Sequence, residues 1–322
     1  MSEKLGMIGL GKMGLPLSRQ MMADGHEIVG YDIDPARMVM LEEEGGRPAA
    51  SPKEVAEQSD ITFSILLKPE HIEENTFGPK GIVAAGKKGH IHVEMSTMEP
   101  SFQADLAERF AAEGIEMLDA PISGSHNRVD TRTISFMVGG KKEVFERVKP
   151  ILDPLAADAA HTGPSGTGAT MKVVTNLFVN SCTALFAELI VVGERAGLSH
   201  EIMQHCLSKG SVQGSMLSQT APRMFERDFA PRGAVEIFVK DMGLAIKLAE
   251  EHGIELAIVP AARKMFERRR QPRHRGVRRE GYVIVLRGWR PAPVGGLADY
   301  SRSWEIGYSH IKLPAFSICY SG

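Results

Sequence analysis

One short segment restricts the folding of this chain more than any other. Gly9-Leu10-Gly11-Lys12-Met13-Gly14 is a GxGxxG turn set between an apolar run at 5–10 and an amphipathic stretch at 15–24. A GxGxxG alone is common by chance, but strand, turn and helix in that order give each glycine a physical task. Gly9 permits the tight turn, Gly11 lets the main chain approach a pyrophosphate with no Cβ in the way, and Gly14 allows helix and strand to pack closely. The free N–H groups and the dipole at the start of the following helix then favour an anion there.

The pattern after the turn agrees with it. Short apolar runs at 27–32, 61–67, 90–94, 115–120 and 134–138 alternate with helical stretches at 35–44, 53–58 and 101–113, several opened by Pro or Ser. Residues 1–162 are therefore expected to form an α/β domain, a doubly wound parallel sheet of the Rossmann type. After the Gly- and Pro-rich 162–168 stretch the period becomes helical, first over 169–196 and then over 201–209, 215–225, 235–252 and 260–269. An all-α domain at 163–267, entered through a long interdomain helix, is expected. From 268 to 322 arginines, both tryptophans and four of the five tyrosines crowd together, helical periodicity fades, and the tail is assigned no role.

Composition decides what such a chain handles. At 322 residues it can bury two cores without staples, and a formal charge of −2 gives no general attraction to nucleic acid or to an acidic membrane. Cys182, Cys206 and Cys319 make an odd count without CxxC spacing, and His200 and His205 lie five apart rather than four, so neither a disulfide framework nor a metal site is expected. The cysteines at 182 and 206 read as small apolar packing residues, the Met21-Met22 and Met38–Met40 pairs as core filler, and Glu42 to Glu44 as a solvated helix end. With no basic leader and no apolar span near the N-terminus, a cytoplasmic protein acting on small molecules is the expectation.

Asp32 ends the second apolar run at the distance where an acidic side chain meets an adenosine ribose 2′-hydroxyl. A carboxylate there repels a 2′-phosphate, and the nearest arginine is Arg37, so NAD is expected in preference to NADP. The plainer role for such a residue, capping the next helix, suits Asp34 before Pro35 better.

With these motifs in order, the chain resembles the β-hydroxyacid dehydrogenase family, which includes 3-hydroxyisobutyrate dehydrogenases and tartronate semialdehyde reductases and belongs with the 6-phosphogluconate dehydrogenases. Gly9 to Pro16 looks like the family's cofactor turn and Asp119-Ala120-Pro121-Ile122-Ser123-Gly124 like its substrate-binding segment. The stretch 163–176 is similar to its catalytic segment, and Lys240-Asp241 to the later helix that reaches back to the cofactor. The resemblance implies Lys172 as the catalytic lysine, Ser123 and Gly124, with Ser125, at the substrate carboxylate, and Asn176 orienting the substrate. It also places Leu66, Leu67, Ser96, Thr97 and Lys240 along the dinucleotide cleft, and implies a homodimer or homotetramer.

The chemistry suits these residue types. Oxidising a carbinol by hydride transfer requires a group to take the hydroxyl proton, and a lysine with an ordinary pKa of about 10.4 needs burial or a nearby cation to work near neutrality. Asn176 follows Lys172 by one helical turn, so both reach the same side. A Lys and Asn pair on a helix is more often a solvated stripe, but Val173, Val174, Leu177 and Phe178 suggest a mostly buried one. The decarboxylating branch of the family carries glutamate where this chain has Val179, which favours oxidation of a small 3-hydroxy acid without decarboxylation. Beyond Ser123-Gly124 the chain departs from the small-residue family pattern, and Arg128 or His126 is a candidate for a second anionic group on the substrate. Reduction of tartronate semialdehyde or another anionic aldehyde, such as a sulfonate, stands as the alternative, with a non-catalytic NAD-binding regulator as the alternative of another class.

Overall fold

The computed structural model describes residues 3–209, 221–226 and 235–267. Six parallel strands, β1 (Lys4–Ile8), β2 (Glu27–Tyr31), β3 (Arg47–Pro48), β4 (Ile61–Ser64), β5 (Ile91–Glu94) and β6 (Glu116–Asp119), lie in the order β3-β2-β1-β4-β5-β6. Every residue of β4 and β5 is buried, because helices cover both faces of the sheet. Those helices are α1 (Gly14–Ala23), α2 (Pro35–Glu43), α3 (Pro52–Gln58), α4 (Pro69–Phe77) and α5 (Pro100–Ala112). Local chemistry sets their starts. Asp34 accepts the Ala36 N–H at 3.0 Å ahead of Pro35, and Ser51 accepts the Glu54 N–H at 3.2 Å ahead of Pro52.

The expected sheet is parallel throughout, and the structure corrects this at one side. Beyond β6 come β7 (Ile122–Ser123), the short α6 (Asn127–Asp130), β8 (Ile134–Gly140), α7 (Lys142–Leu152) and β9 (Ala156–Gly163). Strand β8 runs antiparallel to both β6 and β7, while β9 is parallel to β8. The sequence hides β9 because its Ala-Ala-Asp-Ala-Ala-His core has no alternation, and most of its residues are at least partly exposed.

Helix α8 (Thr167–Arg195) leaves the sheet and is followed by α9 (His200–Lys209), α10 (Ala221–Glu226), α11 (Val235–Glu251) and α12 (Ile258–Glu267). Val173 and Ala184 of α8 join Phe238, Val239, Met242 and Ala245 of α11 and Val259, Ala262 and Phe266 of α12 in one core. Further along α8, Phe186, Ala187 and Ile190 pack with Met203, Met224 and Phe225 in a second core. The expected helix at 215–225 begins outside the described residues, as does the whole 268–322 tail with Cys319.

Three expectations about side chains fail. Helix α8 is buried on one face only: Val174 and Phe178 are exposed, as are Met171, Leu185 and Val192 on the same side. This helix alone among the described ones has the length and apolar content to cross a bilayer, a feature absent from a reading that weighed only the N-terminus. Cys206 and Met40 are exposed rather than packed, because both sit on the outer faces of short amphipathic helices. Glu44 is tied to Arg19 by an ion pair, so only Glu42 and Glu43 form a solvated end.

Candidate active site

The glycine turn is built as its sequence requires. Gly9 has φ +91°, a value L side chains rarely adopt, and donates its N–H to Tyr31 O at 2.8 Å. A Cβ on Gly14 would stand 1.9 Å from Gly9 O, whereas one on Gly11 would meet nothing within 4 Å. The first therefore serves strand and helix contact, and the second guards open space. No side chain caps the first turn of α1 and none of its residues is acidic, which leaves that end for an anion. Beside it a cleft of roughly 500 Å³ lies against the carboxyl ends of β1 and β2, lined in part by Gly9, Tyr31, Asp32, Ser51, Leu66 and Lys80. Asp32 Oδ2 accepts the Leu10 N–H at 2.7 Å and Oδ1 the Asp34 N–H at 2.9 Å, so the carboxylate is fixed at the mouth of the turn. These features fit a dinucleotide. Lys12 and Met13 complete the turn.

On the next strands runs a buried polar ladder, not anticipated in the sequence, that ends on Leu66, one of the residues lining the cleft. Thr62 Oγ1 lies 3.0 Å from His90 Nε2 and 2.9 Å from His92 Nδ1, and Ser64 Oγ lies 3.1 Å from His92 Nε2. Ser64 Oγ donates to Glu94 Oε2 at 2.6 Å, while Glu94 Oε1 accepts the Ser96 N–H at 2.7 Å. Ser96 Oγ then accepts the Leu66 N–H at 2.7 Å. Polar residues at alternate positions in His90-Ile91-His92-Val93-Glu94 were the available signal: on a strand covered on both faces, such groups have to find one another. Ser96 is thereby fixed, Leu66 is partly exposed at the cleft, and Leu67 points out to solvent.

Helix α8 is pinned to the sheet by Asp119, at the end of β6. Its Oδ1 accepts the Gly166 N–H at 2.7 Å and its Oδ2 the Ala169 N–H at 2.8 Å, so both oxygens are spent on the start of the helix. Burial pushes this carboxyl up to about 6, with the helix N–H groups opposing the shift. Gly168 allows the approach, since a Cβ there would stand 2.3 Å from Met137 O and 2.5 Å from Asp119 O. Asp119 was legible in the sequence only as part of a motif, not as the clamp that sets where α8 begins.

One turn on, Lys172 emerges into the seam between α8 and α11. Its ammonium makes no hydrogen bond or ion pair among the described residues. Burial lowers its pKa, with Lys240 adding to the fall and Asp241 opposing it. Asn176 Nδ2 donates to Asp241 Oδ2 at 2.8 Å, and Lys240 Nζ lies 3.4 Å from Asp241 Oδ1. Asp241 is itself buried, which raises its pKa against the pull of Lys240 and Lys172. Lys240 Nζ also donates to Thr97 O at 2.7 Å, and Lys247 pairs with Glu99, so α11 reaches back to the loop after β5. The structure thus gathers Lys172, Asn176, Lys240, Thr97 and Ser96, and adds Asp241, whose role as their junction the sequence did not show.

The remaining expected residues lie on the loop after β6. Ser123 is half-buried where β7 pairs with β8, Gly124 has φ +132°, and Ser125 is exposed. Arg128 is half-buried and gives its Nε to Thr133 Oγ1 at 3.2 Å, and Arg132 ties the loop to Asp24 of α1.

Comparison with known proteins places this geometry. Residues 4–163 match the profile of the NAD binding domain of 6-phosphogluconate dehydrogenase, and 166–280 that of the NAD-binding domain of NADP-dependent 3-hydroxyisobutyrate dehydrogenase. The chain is 32% identical over 289 residues to 2-(hydroxymethyl)glutarate dehydrogenase of Eubacterium barkeri, covering 89% of this chain and 95% of that one. It belongs to the β-hydroxyacid dehydrogenase family. To 2-hydroxy-3-oxopropionate reductase of Escherichia coli, this β-hydroxyacid dehydrogenase is 31% identical over 82% of its own length and 90% of the relative's. The crystal structure of a 3-hydroxyisobutyrate dehydrogenase from Salmonella typhimurium superposes with a TM-score of 0.78 at 27% identity, over 88% of this chain and 100% of that one. At the level the family supports, the protein is an oxidoreductase of hydroxy acids with an NAD(P)-binding domain.

Proposed function

We propose that the protein interconverts a small 3-hydroxy carboxylate of the 3-hydroxyisobutyrate type and its semialdehyde, using NAD, with Lys172 as the proton-transfer group. One observation carries this reading: a lysine with its pKa lowered by burial, and with no hydrogen-bond or ion-pair partner among the described residues, stands beside an amide and a carboxylate that hold each other. A dinucleotide held by the glycine turn and Asp32 would supply the hydride acceptor or donor. Neutral Lys172 takes the hydroxyl proton during oxidation and gives it back during reduction, and its N–H groups steady negative charge on the oxygen. Asp241 fixes the Asn176 side chain, which leaves that amide's oxygen free to orient the substrate. Ser123, Gly124 and Ser125 offer a hydroxyl and close main-chain N–H groups to the substrate carboxylate. Asp32 supports NAD over NADP because its fixed carboxylate repels a 2′-phosphate.

The test is to mix the protein with NAD and a panel of 3-hydroxy acids and follow absorbance of the reduced cofactor. Lys172→Ala should lower kcat by about 10²- to 10⁴-fold, the usual worth of a positioned acid/base, while NAD still raises the melting temperature. Turnover by the variant at the parent rate would overturn the role given to Lys172, and no turnover of any acid by the parent would overturn the reaction.

A further inference from the structure

The polar side of α8 continues past Asn176. At 3.6 residues per turn, Asn180 lies about 40° around the helix from Asn176 and about 80° from Lys172, on the side opposite the exposed Met171, Val174, Phe178, Leu185 and Val192. Asn180 is 4% exposed, and its Nδ2 is buried with no hydrogen-bond partner. Natural proteins seldom leave a buried amide donor unmatched without a reason, and an absent ligand is one such reason. The next inward residue, Thr183, has already turned its hydroxyl to Val179 O at 2.8 Å. Beyond Lys172, Asn180 is thus a described residue on this side of the helix with a buried donor still to give.

We propose that Asn180 is a specificity-determining residue that donates a hydrogen bond to a hydroxyl on the part of the substrate remote from Lys172. The inference rests on the dehydrogenase reading above and narrows its substrate class to 3-hydroxy acids carrying a further hydroxyl. The surroundings favour a hydroxyl over a second carboxylate. Val173 and Ala184, its neighbours on the helix surface, belong to an apolar core, where burying an anion costs more than burying a hydroxyl. A substrate ending in a methyl group leaves Nδ2 unmatched, whereas a hydroxyl satisfies it, and a site built to bond a hydroxyl discriminates against an analogue without one.

Three acids test this: 3-hydroxyisobutyrate, 2,3,4-trihydroxybutanoate and 2-(hydroxymethyl)glutarate, each with NAD and the full chain. In Asn180→Ala the ratio of kcat/KM for the trihydroxy acid to that for 3-hydroxyisobutyrate should fall about 10- to 100-fold, the worth of one buried hydrogen bond. Asn180→Thr, which keeps a donor, should recover part of the ratio. A melting temperature measured for each variant separates this from misfolding, and the threonine variant carries the test if alanine does not fold. A ratio that stays within about threefold of the parent's overturns the assignment, and so does a loss that falls on the dicarboxylic acid instead. If the parent turns over none of the acids, the dehydrogenase reading itself fails and this one with it.

Discussion

Replacing Asp119 with asparagine gives a pH signature that can be worked out in advance. Asp119 is 1% exposed, and burial raises its carboxyl from 3.8 to about 6. A group whose pKa is raised by folding adds stability below its unfolded pKa and loses it as pH rises through the folded one. Here that window runs from about pH 4 to about pH 6, and at ~1.36 kcal/mol per unit the span is about 3 kcal/mol. In Asp119→Asn the span is absent. The variant also turns an amide N–H toward the Ala169 N–H, a lost bond worth about 1.5–3 kcal/mol. Its deficit relative to the parent should therefore be larger at pH 4 than at pH 7.5, by about 2.4 kcal/mol, since at pH 4 part of the span is already spent. Urea unfolding followed by circular dichroism at four pH values reads this difference. His90, whose pKa burial pushes down to about 3, contributes an opposite slope that is present in both proteins and cancels. A deficit that is constant with pH, or smallest at pH 4, would refute the reasoning.

Two further outcomes follow from the site. Gly14→Ala places a carbon 1.9 Å from Gly9 O and should unfold or severely destabilise the nucleotide domain, whereas Gly11→Ala meets no atom and should fold normally but bind NAD more weakly. Melting curves with and without NAD distinguish the two, and equal behaviour would contradict the division of labour between these glycines. For oxidation, kcat/KM should rise with pH to a plateau through an inflection below 10.5, because only neutral Lys172 takes a proton. Asp241 opposes the fall in that pKa, so Asp241→Asn should move the inflection lower still, and a move upward would remove Lys172 as its source.

The elements that sequence made legible are those with one dominant local cause. GxGxxG between an apolar run and a helix specifies its own geometry, and Asp34-Pro35 announces a helix start. The Lys172 and Asn176 spacing follows from helical pitch alone. What stayed hidden depends on distant partners. That Asp119 clamps a helix start 47 residues later is visible only when the chain has closed. Asp241 meets Asn176 across a sequence separation of 65, and nothing local in Lys240-Asp241 announces it. The exposure of Val174 and Phe178 was missed for a related reason, since apolar residues on a long helix do not say which side a neighbour covers.

The clamp at Asp119 also limits how this molecule can move. With the start of α8 bonded to β6 and Gly168 pressed against the main chain, Lys172 has to travel with the nucleotide-binding half. Helix α11 shares one hydrophobic core with α8, so Asn176, Asp241 and Lys240 ride on the same body as Lys172.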